Sequence, residues 1–371
     1  MTLPVAGGTA GVRHAGLTRL RAMLIGWVVL YHLDLLLDVA GAWPWAAPLL
    51  QRGYLGVDGF FLLSGFALWL GYGRNPPRDG ASLRRFWQRR FARTWPLHAT
   101  VLLALGLLVA TVTVAGVTIN DPGRFALRDY ALQFALLNGW ETTDRHAWNS
   151  LSWALSVEWA GYLAFPLLVQ AIRRLPATAL PALVGLALAG LWALGDGREG
   201  LNLTLHLGLA RFGVEFILGL ALGRLATLGR LPARALPWIA VAAVSAGLLL
   251  RLDVVVVAGL AALVPGLFLG GAAGREATLL HRLGEASFGI YICYVFVEAA
   301  MVGGLRMLTL EPAGRLLGML VGLSLAAGLG LLAWRWVELP LQRRVLSWGG
   351  TMKPRRPAQA AGLATAPGLR D

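Results

Sequence analysis

Long apolar stretches, separated by short polar ones that contain arginine, dominate this chain of 371 residues. Most are close to the roughly 20 residues that an α-helix needs to cross a bilayer. The pattern predicts ten membrane helices, at 17–38, 54–73, 96–117, 149–171, 178–195, 203–224, 236–251, 254–271, 284–304 and 313–336. The seventh and eighth are short and separated only by residues 251–253, so they are either a tight hairpin or one miscounted pair. The predicted fold class is an all-α, polytopic membrane protein.

Composition and charge support this class. Hydrophobic residues make up 57% of the chain and charged residues 14%, against about 25% charged in an ordinary soluble domain. The net charge of +14 comes from basic residues scattered between the apolar segments, so nucleic acid is not an expected partner. If the N-terminus is cytoplasmic, 24 of the 33 basic residues lie inside and 8 outside. This bias predicts both termini in the cytoplasm.

The domain organisation predicted from this pattern has three parts: an N-terminal cytoplasmic segment at 1–16, a transmembrane domain at 17–348 and a disordered basic tail at 349–371. The single cysteine, Cys293, excludes a disulfide framework and a cysteine-rich metal site, so we expect no metal. The longest loop, 118–148, is placed outside and contains several aromatic residues. It is either an interfacial cover or part of a binding site.

Arg21 and His32 put a cation and an imidazole into the first apolar segment. Eleven residues at about 100° each make three turns plus about 20°, so both side chains lie on one helix face, about 16 Å apart along the axis. Such groups are costly in a membrane and are candidates for function. The alternative is that the arginine reaches lipid phosphate and the histidine bonds to a neighbouring helix.

Two carboxylates lie in the following segments. Asp58 is near the outer start of the second helix, at a depth similar to that of His32, where it would fix the tautomer of the imidazole. Alternatively, Asp58 caps its own helix. Glu158 is near the middle of the fourth helix, and the sequence does not identify its partner.

Other polar groups admit structural interpretations. Arg211 and Glu215 are four residues apart and can neutralise each other on the sixth helix. Arg335 and Glu338 resemble interfacial anchors near the inner end of the tenth helix. A third set shares one face of the ninth helix and either lines a cavity or packs: Tyr291, Tyr294 and Glu298.

Residues 84–93 combine five arginines with three aromatic residues in the loop after the second helix. One interpretation is an amphipathic helix attracted to anionic lipid headgroups. The other is a cytoplasmic cluster of guanidinium groups that binds phosphates, with aromatic rings available to stack on a purine. The two interpretations are compatible.

Five stretches together resemble the acyltransferase-3 family of integral membrane acyltransferases, which commonly O-acetylate cell-surface glycans and other glycosides. They are Arg21 to His32, 56–66, 90–93, 150–158, and the pair 283–291 with 337–340. The resemblance implies a cytoplasmic acyl-CoA donor, most simply acetyl-CoA, a carbohydrate or glycosylated acceptor, and essential roles for Arg21, His32, Arg90 and Arg93. Two positions depart from the family pattern, since Trp159 follows Glu158 where a second glutamate is usual and Tyr294 stands where a histidine is common.

These observations predict a multi-pass acyltransferase of the bacterial inner membrane, in contact with membrane lipids. His32 would deprotonate the acceptor hydroxyl or carry the acyl group transiently, with Asp58 and Glu158 as further catalytic residues and Asp58 orienting His32. The donor-binding residues would be Arg21, Arg90 and Arg93. The alternative is a transporter or flippase that uses the buried charges as a proton or substrate path, which predicts internal repeats that the sequence does not show convincingly. A membrane sensor or scaffold is disfavoured by the number of buried charges.

Overall fold

Every apolar stretch that the sequence marks is a helix in the structure. The computed structural model describes residues 14–119, 121–195, 200–271, 278–305 and 310–348. Residues 1–13 of the predicted N-terminal segment and the predicted tail at 349–371 lie outside these ranges. The fifteen α-helices are α1 (Ala15–Leu37), α2 (Val39–Ala42), α3 (Ala47–Leu50), α4 (Leu55–Tyr72), α5 (Gly80–Val114), α6 (Leu127–Phe134), α7 (Ser152–Arg174), α8 (Leu180–Leu194), α9 (Gly208–Thr227), α10 (Leu236–Leu250), α11 (Asp253–Leu269), α12 (Leu279–Glu285), α13 (Ser287–Leu305), α14 (Pro312–Ala333) and α15 (Leu339–Trp348).

The helices confirm the all-α membrane class, and the described ranges contain no strand. Seven of the described helices are long and apolar enough to cross a membrane, and α10 and α11 are shorter apolar helices. Helix α9 has sufficient length but carries Arg211, Glu215 and Arg224. The number of crossings and the cytoplasmic position of the termini remain predictions.

The seventh and eighth predicted helices are a tight hairpin. Helix α10 ends at Leu250. The next residue, Arg251, turns the chain with a φ of 59°, in the left-handed region, and α11 begins at Asp253. The Asp253 carboxylate accepts hydrogen bonds from Arg52 Nε at 2.9 Å and from the Leu201 backbone N–H at 2.8 Å. These bonds fasten the hairpin to the loops around it.

Helix α5 joins the basic stretch to the third predicted membrane helix in 35 continuous residues. Its first turn is capped by Asp79, which accepts from the Ser82 backbone N–H at 2.9 Å, and this hydrogen bond holds the pKa of the Asp79 carboxyl below its ordinary value. Pro96 removes one backbone donor from the middle of the helix. The helix continues because Thr94, Pro96 and Leu97 are all buried against neighbouring elements.

Helices α4 and α9 run parallel and approach closely through two glycines. A Cβ atom on Gly65 would lie 2.1 Å from the Phe216 carbonyl oxygen, and one on Gly219 would lie 2.3 Å from the Leu62 carbonyl oxygen. Small residues are what allow membrane helices to pack at this distance. The contact places the polar N-terminal turns of the two helices at the same level.

A π-helical turn, Trp334–Glu338, joins α14 to α15. Such turns are rare and are often found at functional sites. Helix α15 then packs along α5, where Gln88 Nε2 donates to the Val345 carbonyl oxygen at 3.0 Å. Glu338 therefore lies beside the basic part of α5.

The long loop at 118–148 packs against the helices in the described part of its course. Its helix α6 is fixed to α5 by Trp95 Nε1, which donates to the Phe134 carbonyl oxygen at 3.0 Å, and by a 2.8 Å contact between His98 Nε2 and the Gln133 carbonyl oxygen. Gln133 Nε2 also donates to the Ala147 carbonyl oxygen at 2.6 Å. The loop is thus held to α5 through α6, and its last residues are held to α6.

Candidate functional site

A cavity of about 1350 Å³, its open mouth included, lies among α1, α4, α5, α7, α12 and α13. Four of the six predicted site residues line it: Arg21, Arg90, Arg93 and Glu158. The other two, His32 and Asp58, lie outside it. The cavity wall also contains Tyr162, His281, Glu285, Ser287, Phe288 and Tyr291.

Arg90 is a buried cation that faces the cavity. Its guanidinium carbon lies 5.9 Å from the centre of the Phe86 ring and 5.7 Å from that of Tyr162. Within the described ranges Arg90 forms no ion pair, and its Nε has no hydrogen-bond partner. The two rings hold the guanidinium in place and leave its charge available to a ligand.

Arg21 reaches the same cavity from α1. Its Nη2 donates to Ser287 Oγ at 2.7 Å, at the first residue of α13. No carboxylate of the described residues lies within ion-pairing distance of this guanidinium. The close approach of α12 to α1 supports the arrangement, because a Cβ atom on Gly284 would lie only 1.8 Å from the Thr18 carbonyl oxygen.

Arg93 is paired with Glu338 in a buried contact, and its guanidinium carbon lies 5.8 Å from the centre of the Phe288 ring. The prediction that Glu338 is an interfacial anchor is therefore wrong, since its side chain is 1% exposed. Sequence reasoning missed Glu338 as a site residue because it follows the end of a hydrophobic run. The sequence feature that could have identified it is its position in the stretch 337–340, which served only as evidence for the family resemblance.

Glu158 lies at the cavity wall with a polar partner that the sequence did not identify. Ser64 Oγ donates to Glu158 Oε1 at 2.7 Å. Ser64 and Glu158 belong to two of the motif stretches. Residues from all five motif stretches thus line one cavity.

The structure does not place Asp58 against His32. Both of its carboxylate oxygens bind the Arg211 guanidinium, with Arg211 Nε at 3.0 Å from Oδ1 and Nη2 in contact with Oδ2. The side chains of this pair are 0% and 1% exposed. Asp58 is therefore a partner of Arg211 and neither orients the imidazole nor caps its helix.

Arg211 also contacts Glu215, as its spacing predicted, but more weakly. The distance from Arg211 Nε to Glu215 Oε1 is 3.9 Å, and both oxygens of this buried carboxylate lack a hydrogen-bond partner in the described chain. Arg211 Nη1 donates to the Leu203 carbonyl oxygen at 3.3 Å. This buried cluster joins α4, α9 and the loop that precedes α9.

His32 lies between aromatic rings. Its ring centre is 5.0 Å from that of Tyr31 and 5.6 Å from that of Tyr294. Its ring nitrogens make no hydrogen bond or ion pair with any residue that the structure describes, and the side chain is half-buried. His146, in the loop between α6 and α7, is close enough to influence its charge. No described residue therefore occupies either ring nitrogen.

The loop between α6 and α7 meets the loop before α9 near this histidine. Asn202 Nδ2 donates to the Tyr31 hydroxyl at 3.0 Å, and Thr204 Oγ1 lies 3.3 Å from His146 Nε2. Glu141 accepts from the Leu207 backbone N–H at 2.8 Å. Hydroxyl, amide and imidazole groups beside aromatic rings therefore surround the region next to His32.

Several known proteins are similar to this chain in sequence. The model of the acyltransferase-3 family, described as an acyltransferase domain, matches residues 14–335. The acyltransferase MdmB of Streptomyces mycarofaciens is 37% identical over 127 residues, which are 33% of this chain and 30% of MdmB. The O-acetyltransferase OatA of Staphylococcus aureus is 31% identical over 166 residues, which are 42% of this chain and 24% of OatA. The chain thus spans less than a third of the length of these relatives, and no solved structure matches it.

Proposed function

Because the chain belongs to the acyltransferase-3 family, which its match over residues 14–335 establishes, we propose that it transfers an acyl group from acyl-CoA to a hydroxyl group of a carbohydrate or glycosylated acceptor. Acetyl is the acyl group that we expect, since one of the relatives is named an O-acetyltransferase. The proposed setting is a bacterial inner membrane with membrane lipids around the bundle.

The observation that carries the donor assignment is the pair Arg21 and Arg90. Both guanidinium groups face one cavity, which Glu158 and Glu285 also line. Neither guanidinium has a carboxylate within ion-pairing distance among the described residues. Burying a cation without a counter-charge is costly, so a bound anion stabilises such a site. The phosphates of coenzyme A supply that anion through charge-assisted, bidentate hydrogen bonds. Arg93 contributes less positive charge because Glu338 neutralises it.

His32 supplies the acid and base chemistry in this proposal. Its ring is about 16 Å along α1 from Arg21 and on the same helix face. The donor phosphates remain in the cavity while the thioester extends along that face towards His32. The imidazole then accepts the proton of the acceptor hydroxyl and delivers it to the sulfur of coenzyme A.

The acceptor is proposed to enter beside Tyr31, Asn202 and His146. Aromatic rings and hydrogen-bonding side chains at one place suit a polyhydroxylated ligand, because the rings pack on the apolar faces of a sugar while the polar groups bind its hydroxyls. Because Trp159 and Tyr294 depart from the family pattern, the type of glycoside has to be identified by screening.

The experiment that tests this function uses the purified full chain in lipid nanodiscs. Release of free coenzyme A from radiolabelled acetyl-CoA is measured with and without a panel of glycosides, and labelled products are separated. We expect the glycosides to stimulate release, with label transferred to one of them. Failure to bind coenzyme A at millimolar concentration, together with no release above an empty-nanodisc control, would overturn the proposal. Movement of a glycoside across the bilayer without acyl transfer would support the transporter alternative.

A further inference from the structure

Two tyrosine hydroxyls on α13 are buried without a partner. Tyr291 and Tyr294 are three residues apart, so they share one helix face and are separated by about 4.5 Å along the axis. The Tyr294 residue is 1% exposed. In the part of the chain that the structure describes, neither hydroxyl oxygen makes a hydrogen bond.

These two side chains connect the cavity with His32. Tyr291 lines the cavity that contains Arg21 and Glu158, and the Tyr294 ring lies 5.6 Å from the His32 ring. An acyl thioester that extends from the arginines to the imidazole therefore passes Tyr291 first and Tyr294 next.

An unsatisfied buried hydroxyl needs an explanation. Leaving such a group without a partner costs about 1–3 kcal/mol, and phenylalanine would fill the same space without this cost. Two tyrosines with unpaired hydroxyls on one face, both between the donor cavity and the candidate base, indicate that a bound molecule supplies the missing acceptor atom. The acceptor atom available on an acyl thioester is its carbonyl oxygen.

We propose, on the basis of the function proposed above, that the Tyr294 hydroxyl donates a hydrogen bond to the thioester carbonyl oxygen in the transition state of acyl transfer. The Tyr291 hydroxyl lies about one helical turn nearer the arginines. It donates a hydrogen bond to the same oxygen when the donor first binds. As the acceptor oxygen bonds to the carbonyl carbon, negative charge develops on the carbonyl oxygen beside Tyr294. The carbon–sulfur bond then breaks, and the proton that His32 took from the acceptor passes to the sulfur. Both tyrosines keep their protons throughout.

This assignment predicts different kinetic effects for the two hydroxyls. Loss of a hydrogen bond made in the transition state lowers kcat by about 10²- to 10³-fold, so Tyr294→Phe has this effect with little change in KM for acyl-CoA. Loss of a hydrogen bond made to the bound donor raises KM by about 10-fold, which is the expected effect of Tyr291→Phe.

The matched control is Tyr72→Phe. The Tyr72 hydroxyl is also buried without a partner in the described residues, but it packs on Phe86 and Phe165 and does not line the cavity. All three substitutions remove one unpaired hydroxyl, so each should leave the melting temperature unchanged or raise it. Only the two α13 variants should alter the kinetics.

The test measures kcat, KM and melting temperature for the parent and the three variants in nanodiscs. A loss of kcat in Tyr294→Phe at an unchanged or higher melting temperature supports the proposal. Full kcat in that variant overturns it, and so does a loss of kcat accompanied by a fall in melting temperature, which identifies a structural role. If the parent neither binds coenzyme A nor turns over acetyl-CoA, the proposed function fails and this inference fails with it. An active parent with a fully active Tyr294→Phe variant refutes the tyrosine assignment alone.

Discussion

Arg93 and Glu338 are 245 residues apart in the sequence and form a buried ion pair at the wall of the cavity. Arg90, one turn before Arg93, faces the same cavity without an ionic partner in the described chain, whereas Arg84 and Arg85 are exposed. The basic part of α5 therefore presents one face to the candidate donor site and another to its surroundings. Under the proposed function, Arg90 would bind phosphate, and the lipid interpretation remains a prediction for the exposed Arg84 and Arg85.

The first prediction distinguishes the role of Arg90 in binding from the role of Arg93 in stability. Arg90→Gln should weaken coenzyme A binding by about 10- to 100-fold, since a hydrogen bond to a charged group contributes about 1.5–3 kcal/mol. The melting temperature should hardly change, because Arg90 has no ion pair to lose. Calorimetric titration with coenzyme A, alongside a thermal melt, measures both quantities.

For Arg93→Gln we expect a loss of stability of about 3–5 kcal/mol, because Glu338 is left buried without its counter-charge. The double variant Arg93→Gln/Glu338→Gln is the control, and it should recover most of the stability. If Arg93→Gln were as stable as the parent, the ion pair would have no structural importance.

The second prediction concerns the buried cluster around Arg211. Arg211→Gln leaves Asp58 and Glu215 both buried without a cation, while Asp58→Asn leaves Arg211 with Glu215 still 3.9 Å away. Arg211→Gln should therefore cost more stability than Asp58→Asn, and we expect at least about 3 kcal/mol for the former. Thermal melts in the same nanodiscs show which of the two variants loses more stability. The reverse order would show that Glu215 carries no charge in the folded protein.

The third prediction concerns His32. His32→Ala should lower acyl transfer by about 10²- to 10⁴-fold, the usual contribution of a general base. The protein should remain folded, because the ring nitrogens bond to no residue that the structure describes. An active His32→Ala variant would remove this residue from the mechanism.

Incubation with labelled acetyl-CoA in the absence of acceptor distinguishes the two roles of His32. A labelled protein adduct that disappears in His32→Ala would identify a transient acyl carrier. An unlabelled parent that still performs the transfer indicates a general base.

The fourth prediction tests the topology. Arg78 and Asp144 are exposed on loops predicted to lie on opposite sides of the membrane, and the native Cys293 is buried. In intact cells, an impermeant thiol reagent should label Asp144→Cys and not Arg78→Cys, while both should react in opened membranes. Labelling of Arg78→Cys alone in intact cells would invert the topology and separate the α5 arginines from cytoplasmic acyl-CoA.

Much of the fold follows from the sequence, because membrane helices are specified locally. Apolar length located the ten predicted membrane segments, each of which is a helix, and the cost of charge in lipid marked Arg21 and Glu158. The cluster of arginines and aromatic residues marked Arg90 and Arg93, and all four residues line one cavity. The continuous course of α5 through Pro96 was less evident, since it depends on burial of both sides of the proline by other elements.

The pairing of charges did not follow from the sequence. Asp58 and Arg211 are 153 residues apart, and their contact depends on the glycine-mediated approach of α4 and α9. Local spacing favoured Glu215 as the partner of Arg211, although Asp58 approaches closer in the structure. Glu338 was placed at an interface because the sequence gives no sign of the π-helical turn before it. These errors share one cause, since long-range packing decides which carboxylate each arginine meets.

The length of α5 also bears on how the protein responds to the lipid around it. Its 35 residues extend for about 52 Å, against a hydrocarbon core of about 30 Å. The half that carries the exposed Leu103, Leu107 and Leu108 adjusts to hydrophobic mismatch by tilting. Because Arg90 and Arg93 lie on the same continuous helix, that tilt changes the distance between these arginines and Arg21. Under the proposed function, we expect bilayer thickness to change how tightly these arginines hold the donor.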